Sequence, residues 1–339
     1  MSEPLLSVRG LRVGFRTEAG LVQAVDGLDL DLAPGEVVGV VGESGSGKSV
    51  SMLAVMGLID DPNAIIEGEA RFGGRDLLAL SDREMRTVRG EEIAMVFQDP
   101  MTSLNPVHTV GWQISEQIRA HRKASRGEAR ERSVELLRAV GIPRPEQRVD
   151  QHPHQFSGGM RQRVMIAMAL SCQPALLIAD EPTTALDVTI QAQILELIRD
   201  LREQSGSAVV LITHDVGVVA DIADRVIVMY AGRAVEVASK DELFEQPQHP
   251  YTWGLMASVP RLDLPKPARL AAIPGQPPSL IALPPGCSFA PRCPHAFDAC
   301  GQGRPPLVSH AAPAHLDACL LAPSDRVRLR GAATDGAPA

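Results

Sequence analysis

The sequence lacks the features that would carry it into or across a membrane. Its apolar runs, such as "VVGVVG" and "ALLIAD", fall far short of the roughly 20 residues that cross a bilayer. The opening segment "MSEPLLSVRG" has an acid and a proline where a secretory signal has basic residues followed by an apolar stretch. We therefore expect a chain that stays in the cytoplasm and owes any membrane role to a partner.

The chain also lacks an excess of positive charge. Its 33 Lys and Arg residues stand against 41 Asp and Glu residues, which gives a formal net charge of −8. This balance provides no broad electrostatic footprint for nucleic acid, so a polynucleotide partner is disfavoured. With 339 residues, 45% of them hydrophobic, the chain suits one large domain, alone or with a smaller appendage.

Cysteine is scarce and unevenly placed. Four of the five cysteines, Cys287, Cys293, Cys300 and Cys319, lie near the C-terminus. Disulfides are the least expected use of them in a reducing cytosol. The spacing matches neither the close pairs of common zinc sites nor the common ferredoxin patterns, so zinc, an iron–sulfur cluster and free thiols all remain open. The fifth, Cys172, follows an apolar helical stretch and is interpreted as a small buried hydrophobic residue.

Several short apolar stretches predict α/β architecture. "VVGVV", "IAMVF", "ALLIAD" and "AVVLIT" have the composition of strands buried on both faces, and stretches with helical spacing separate them. Earlier in the chain, Leu28, Leu30 and Leu32 alternate with Asp29 and Asp31, as in a half-exposed strand. The pattern predicts a parallel sheet core flanked by helices.

The order of these patterns predicts two domains. Residues 1–245 form the sheet domain, with a helical subdomain inserted at about 100–170, where the apolar stripe of Val134, Leu137 and Val140 ends at Gly141. The stretch "RVIVMYAGRAVEVA" predicts a hairpin. Residues 246–339 form a separate, largely irregular extension, since 17 of the 27 prolines fall in 247–339.

A glycine-rich stretch directly follows the first buried strand. The residues "GESGSGKS" fit the phosphate-loop pattern G-x-x-x-x-G-K-S/T, and an ordinary glycine-rich turn is disfavoured by the flanking strand and helix. Glycines let successive N–H groups face the phosphates, Lys48 reaches the β and γ groups, and the Ser49 hydroxyl binds Mg²⁺. The predicted phosphate-binding residues are Gly42, Ser44, Gly45, Ser46, Gly47, Lys48 and Ser49.

An acidic pair ends a later strand, in "LLIADEP". Because adjacent strand residues point to opposite sides, Asp180 and Glu181 can have different roles. We expect Asp180 to hold Mg²⁺, through water, and Glu181 to polarise the attacking water as general base. An isolated pair of this kind is more often a helix cap or a solvated corner, but the upstream phosphate loop favours the catalytic interpretation.

The stretch "FSGGMRQR", Phe156 to Arg163, resembles the signature motif of ATP-binding cassette (ABC) ATPases. Other motifs of that family stand in order around it: Gln98 matches the Q-loop, Asp187 the D-loop and His214 the switch histidine. The resemblance covers residues 1 to about 245. It implies a P-loop ABC ATPase with a mixed sheet core, an antiparallel β subdomain and an inserted helical subdomain, to which a Pro- and Cys-rich extension is added.

The resemblance also assigns roles. The N–H groups of Ser157, Gly158 and Gly159 precede a helical run and form an anion site, which in this family closes on the γ-phosphate of the partner subunit's ATP. His214 is implied to hydrogen-bond the γ-phosphate, and Gln98 to link Mg²⁺ and the attacking water to a transmembrane partner. A core histidine and a turn residue are the respective alternatives.

Two positions depart from the common family pattern. Met160 stands where many members have glutamine, but the Ser-Gly-Gly backbone donors are kept. Phe15 stands where a tyrosine often stacks on adenine. Because stacking needs only a π face, Phe15 can serve, with a core aromatic as the alternative.

The stretches "VFQDPMTSLNP" and "IADEPTTALDVTIQAQI" resemble the ATPases of dipeptide and oligopeptide importers, of which nickel importers are close relatives. "HPYTWGLMASVP" followed by "PPGCSFAPRC" resembles the C-terminal extension of that subfamily, and "TVGWQI" with the cysteine tail looks most like the D-type subunit of a dipeptide permease. The resemblance implies a homologous second ATPase, two permeases, an extracellular peptide-binding protein and a place on the cytoplasmic face of the membrane. It also implies a four-iron, four-sulfur (4Fe–4S) cluster on Cys287, Cys293, Cys300 and Cys319.

Rival interpretations exist for the whole chain and for its tail. A soluble ABC ATPase of DNA maintenance is disfavoured by the acidic balance and by the absence of coiled-coil heptads. A nickel or other small-solute importer would keep the same site. A redox-sensing tail is compatible with peptide import.

Overall fold

The computed structural model describes residues 3–184, 186–258, 273–310, 312 and 314–334. These residues form two compact units. Unit 1 contains residues 3–5, 32–37 and 76–212, and unit 2 contains residues 6–31, 38–75 and those from 213 onward.

The strands of the described residues are numbered in chain order. They are β1 Leu6–Thr17, β2 Gly20–Leu32, β3 Val37–Val41, β4 Ala64–Phe72, β5 Arg75–Asp76, β6 Ile93–Val96, β7 Leu176–Asp180, β8 Ala208–Thr213, β9 Arg225–Tyr230, β10 Arg233–Ser239, β11 Val308–Ser309 and β12 Leu316–Asp317. The four apolar stretches singled out above are strands β3, β6, β7 and β8, and all but a few of their residues are buried. Those strand predictions are confirmed.

The α-helices of the described residues are numbered in the same way. They are α1 Lys48–Val55, α2 Asp82–Val88, α3 Pro100–Ser103, α4 Val110–His121, α5 Arg126–Ala139, α6 Pro145–Arg148, α7 Gly158–Ala169, α8 Val188–Ser205, α9 Val216–Ile222, α10 Lys240–Glu245, α11 Pro250–Ala257, α12 Ala299–Gln302 and α13 Pro323–Thr334. None of the helices in the described ranges combines the length and the apolar character that a membrane crossing needs.

Unit 1 is built on three parallel strands in the order β8–β7–β6. Helices α3 to α7 lie between β6 and β7 in the chain, in the segment predicted to be helical. A capping box at Ser125 starts α5, because the Ser125 side chain accepts from Glu128 N–H while the Glu128 carboxylate accepts from Ser125 N–H. The helix ends before Gly141, whose φ of 72° is the left-handed conformation that follows many helices.

Unit 2 contains two sheet regions. One has the strand order β2–β1–β4–β5, with β1 and β4 antiparallel. In β2, Leu28, Leu30 and Leu32 are buried while Asp29 is exposed, which confirms the predicted half-exposed strand. The other is mixed: β3 runs parallel to β9, and β9 forms the predicted hairpin with β10. Antiparallel pairing of β10 with β12, and of β12 with β11, brings part of the extension into this sheet.

A buried polar network fixes the extension to β10. The Glu236 carboxylate is fully buried and accepts from the N–H groups of Gln248 (2.6 Å) and His249 (2.9 Å), and it lies 2.7 Å from His315 Nε2. Asp317, its neighbour in β12, is paired with the buried Arg326 at 2.7 Å. A buried carboxylate is tolerated only where hydrogen bonds replace its lost hydration, so these contacts are what orders this part of the proline-rich extension.

Candidate nucleotide site

The phosphate loop connects β3 to α1 in unit 2. Gly42, Gly45 and Gly47 have φ values of 153°, 77° and 97°, which favour glycine. A Cβ on Gly42 would lie 2.1 Å from Met229 O, and one on Gly47 would lie 2.3 Å from Ala24 O. Both positions therefore require glycine on conformational and on steric grounds.

Two buried polar side chains lie inside the loop. Lys48 is 4% exposed, and its Nζ donates to Gly42 O (2.8 Å) and Glu43 O (3.1 Å). Ser46 is equally buried, and its Oγ has no hydrogen-bond partner in the described part of the chain. A buried ammonium group and an orphaned hydroxyl within a glycine cradle fit a phosphate chain, whose oxygens would satisfy both. Ser44 and Gly45 are exposed, and Ser49 is half-buried in the first turn of α1.

The acidic pair lies at the end of β7 in unit 1. Asp180 is the last strand residue and is 6% exposed. Glu181 follows it with φ 45°, an uncommon conformation for a residue other than glycine. The strand alternation used to separate their roles therefore stops at Asp180. Backbone strain of this kind concentrates at functional sites, where the surrounding structure holds it in place.

The Glu181 carboxylate is held by two neighbours in unit 1. Gln98 Nε2 donates to Glu181 Oε2 at 2.9 Å, and Thr184 Oγ1 donates to the same oxygen at 2.8 Å. The Glu181 N–H donates to Ile212 O, which ties the residue to β8. The structure thus brings together two predicted residues and adds Thr184, which the sequence analysis missed. Its position three residues after the acid, in "DEPTT", was the available signal.

The signature residues begin α7. Ser157 is the N-cap, with its side chain accepting from Met160 N–H, and Ser157 and Gly158 are exposed. A Cβ on Gly159 would lie 2.8 Å from Ile190 Cγ2 in α8, so this glycine permits close packing. Asp187 caps α8 through Ile190 N–H at 3.0 Å and is also exposed. Exposed N–H donors at a helix start are available to an anion from outside the chain.

His214 and Phe15 belong to unit 2. His214 follows β8 and is exposed, which excludes the alternative of a core histidine. Phe15 pairs with Ala64 across β1 and β4 and is half-buried, so part of its ring remains accessible.

The C-terminal cysteines form no metal centre. In the described part of the chain, which includes all five cysteines, no group of three or more Cys, His, Asp or Glu side chains is arranged to hold a metal ion. The predicted 4Fe–4S cluster on Cys287, Cys293, Cys300 and Cys319 is therefore wrong, and its zinc alternative has no support.

The surroundings of these cysteines give the physical reason. The four line one cavity of about 20 Å³, room for little more than one water molecule. Burial raises the pKa of Cys293 to about 11 and that of Cys319 to about 12, so a metal would have to displace a tightly held proton from each thiol. Cys172 is 1% exposed, as predicted for a small buried hydrophobic residue.

A chain with this loop, acidic pair and signature in order has the make-up of an ABC ATPase, and the comparisons agree. The model of the family described as "ABC transporter" matches residues 25–184. A solved dimeric ATP-binding cassette in a post-hydrolysis state, bound to ADP and phosphate, superposes with TM-score 0.62 at 32% identity over 69% of this chain and 98% of its own. The structure of cbiO1 of Clostridium perfringens, part of the ABC transporter complex cbiONQ, gives TM-score 0.61 at 28% identity over 72% of this chain and 92% of its own.

The C-terminal extension and the similar proteins show which branch of the ABC family the chain belongs to. A second family model, "Oligopeptide/dipeptide transporter, C-terminal region", matches residues 235–300. The dipeptide transport ATP-binding protein DppD of Bacillus subtilis is 55% identical over 89% of this chain and 90% of its own. The oligopeptide transport ATP-binding protein OppD of Salmonella typhimurium is 54% identical over 93% of each. The chain belongs to the oligopeptide and dipeptide branch of the ABC transporter ATP-binding proteins.

Proposed function

We propose that this chain is an ATPase subunit that powers the import of dipeptides or oligopeptides through a membrane permease. The observation that carries the proposal is the joint occurrence of a complete ATP-binding cassette and an extension matched by the peptide-transporter C-terminal model. Identities of 54–55% to transport ATP-binding proteins over about nine-tenths of the chain support it. These relatives carry names of peptide transport proteins, which favours peptide import over nickel import or DNA maintenance.

Each predicted residue has a part in ATP hydrolysis. The loop from Gly42 to Ser49 would bind the phosphates, with Lys48 on the β and γ groups and Phe15 against the adenine. Glu181 would take a proton from the attacking water, and its hydrogen bonds from Gln98 and Thr184 hold the carboxylate in one orientation. His214 would donate to the γ-phosphate.

The proposal includes Mg²⁺. Ser49, Gln98 and Asp180 would hold the ion, since hydroxyl, amide and carboxylate oxygens are the ligands it prefers. When bound, it neutralises charge on the β- and γ-phosphate oxygens.

The signature residues imply a second ATPase. Ser157, Gly158 and Gly159 are exposed or half-buried at the start of α7, so their N–H groups would serve the ATP held by a partner subunit. Asp187, also exposed, would lie at the same interface. We propose a heterodimer with a homologous ATPase, peripheral to the cytoplasmic face of the membrane, with two permeases and an external peptide-binding protein.

The function is tested by reconstituted transport. Proteoliposomes are prepared with the two permeases in the membrane, both ATPases on the inner side and the peptide-binding protein outside. They should accumulate labelled dipeptides or oligopeptides only when ATP is present inside the vesicles. Omitting this chain should abolish uptake. Accumulation of Ni²⁺ but not of any peptide would replace the proposal with the small-solute alternative.

An exposed apolar patch in unit 1 is the proposed docking surface for a permease. Phe97, Met101, Val107 and Trp112 are 37%, 61%, 74% and 47% exposed, and His108 stacks on the Trp112 ring with centroids 3.7 Å apart. Apolar side chains concentrated in one exposed segment are typical of an interaction site. The segment, residues 97–112, includes Gln98, which contacts Glu181.

We expect crosslinks from this patch to reach a permease. A photoreactive residue at position 101 or 107 in the assembled transporter should label a transmembrane subunit, and one at the exposed Arg86 of α2 should serve as the off-patch control. Mass spectrometry of the crosslinked bands identifies the partner. Labelling of the second ATPase alone would contradict this assignment of the surface.

A further inference from the structure

The carboxylate, the N–H group and the carbonyl oxygen of Glu43 each contact another residue. It is the second residue of the phosphate loop, and its carboxylate forms a two-point ion pair with Arg292, at 2.6 and 3.0 Å. Its N–H donates to the Tyr251 hydroxyl at 2.8 Å, and its carbonyl accepts from Lys48 Nζ at 3.1 Å. Two of these three anchors, Arg292 and Tyr251, come from the C-terminal extension.

Arg292 is also held in place by residues other than Glu43. Its Nε donates to Pro274 O (2.9 Å), and the second hydrogens of its two terminal nitrogens are directed to the Tyr230 hydroxyl (3.3 Å) and Ile273 O (3.3 Å). With the two bonds to Glu43, all five guanidinium donors have acceptors. Its side chain is 5% exposed and that of Glu43 is 27% exposed, so the guanidinium is shielded from water on the arginine side, and the two-point contact is directional. Contact with Glu43 raises the pKa of Arg292, which keeps it charged.

Tyr251 is equally restrained. It is fully buried in α11, and its ring lies 4.6 Å from that of Tyr230 and 5.4 Å from that of Phe289, centroid to centroid. Burial raises the pKa of its hydroxyl, so it remains a neutral group that accepts the Glu43 N–H. The aromatic cluster therefore gives the hydroxyl a fixed position from which to hold the loop backbone.

We propose that Arg292 and Tyr251 are positioning residues through which the C-terminal extension holds Glu43, and with it the phosphate loop, in the conformation that receives ATP. The inference rests on the proposed role of the loop as the nucleotide site. Glu43 accepts from Lys48, so a shift of Glu43 displaces the ammonium group that the γ-phosphate needs. The extension thus sets the affinity of the cassette for its nucleotide.

The test is a set of ATP dissociation constants on the full-length chain. Glu43→Gln and Arg292→Met should each weaken ATP binding about tenfold, the size expected for losing a charge-assisted contact that orders a site. The double variant should bind ATP no more weakly than the weaker-binding of the two single variants, because both substitutions break the same contact. Tyr251→Phe should weaken binding several-fold through an independent contact. In the assembled transporter these variants should raise KM for ATP and leave kcat within about twofold.

Two controls separate the possible outcomes. Arg304→Met removes another extension arginine that pairs with the cassette, at Asp26 (2.7 Å), but not with the loop, and should leave ATP affinity within about twofold. Lys48→Ala tests the nucleotide site itself. If Lys48→Ala abolishes binding while Glu43→Gln and Tyr251→Phe do not change it, the positioning role is overturned and the proposed function stands. If Lys48→Ala has no effect, the nucleotide site is wrongly assigned.

A fold check keeps the test decisive. Arg292→Met removes contacts with residues 273 and 274 as well, so its thermal unfolding is measured beside that of Glu43→Gln, which leaves those contacts intact. Additive losses in the double variant would show two unrelated defects and overturn the proposal. Arg292→Lys should not rescue binding, because an ammonium group cannot reach five acceptors.

Discussion

Glu181→Gln is expected to leave ATP binding intact and to reduce turnover at its own site by roughly 10²- to 10⁴-fold, the contribution typical of a positioned general base. The amide keeps the shape of the side chain and can still meet Gln98 and Thr184, but it cannot take a proton from water. Phosphate release at saturating ATP measures turnover, and equilibrium binding of a labelled nucleotide measures affinity. Because hydrolysis would no longer reopen the subunits, a closed ATP-bound dimer should accumulate.

The measurement needs a background without the partner's activity. In a complex whose second site is already disabled, unchanged phosphate release by Glu181→Gln would rule out its role as the base. Glu196→Gln, an exposed carboxylate on α8, is the matched control and should be silent. Thr184→Val removes the hydrogen bond from the Thr184 hydroxyl to the carboxylate and should lower kcat by a smaller factor, on the order of tenfold, without changing KM.

Lys48→Ala is expected to weaken the binding of ATP. The ammonium group is buried within the loop, and removing one partner of a buried charged contact costs roughly 2 to 5 kcal/mol, or about 30- to 4,000-fold in affinity. The loss should appear in the dissociation constant for ATP, and the proposed adenine contact at Phe15 should not compensate for it. Titration of a fluorescent ATP analogue against the full-length chain measures the change.

The control for Lys48→Ala is Lys123→Ala, which removes an exposed lysine between α4 and α5. It should bind ATP as the unmodified chain does. Lys48 also donates to two loop carbonyls, so a circular-dichroism melt must show that the variant is folded. A folded variant with unaltered affinity would mean that the loop does not bind the phosphates.

The sequence predicts the strands and the loop well because both depend on local patterns. An uninterrupted β-branched run such as that of β3 is stable only when buried on both faces, and the structure buries it. The glycines of the loop are equally readable, since Gly42 and Gly47 meet backbone oxygens that exclude any side chain. Residue type and spacing alone convey these requirements.

Other features depend on contacts that periodicity does not encode. Arg292 and Glu43 are separated by 249 positions and meet only because α11 and the turns near Cys293 fold against the loop. Glu181 departs from strand alternation because its backbone adopts φ 45°. The cluster prediction failed for a related reason: four clustered cysteines indicate a metal, but burial and ligand placement decide whether one can bind.

The buried carboxylate of Glu236 makes the packing of β10 depend on the presence of the C-terminal extension. A gene shortened after β10 would encode a strand whose buried acid had lost the N–H groups of Gln248 and His249 and the ring of His315. The same residues shield the acid from water, so the shortened strand would expose a carboxylate on a face that is otherwise packed. The acid at position 236 therefore couples the outer face of β10 to the extension: its burial and its hydrogen-bond partners are present together or absent together.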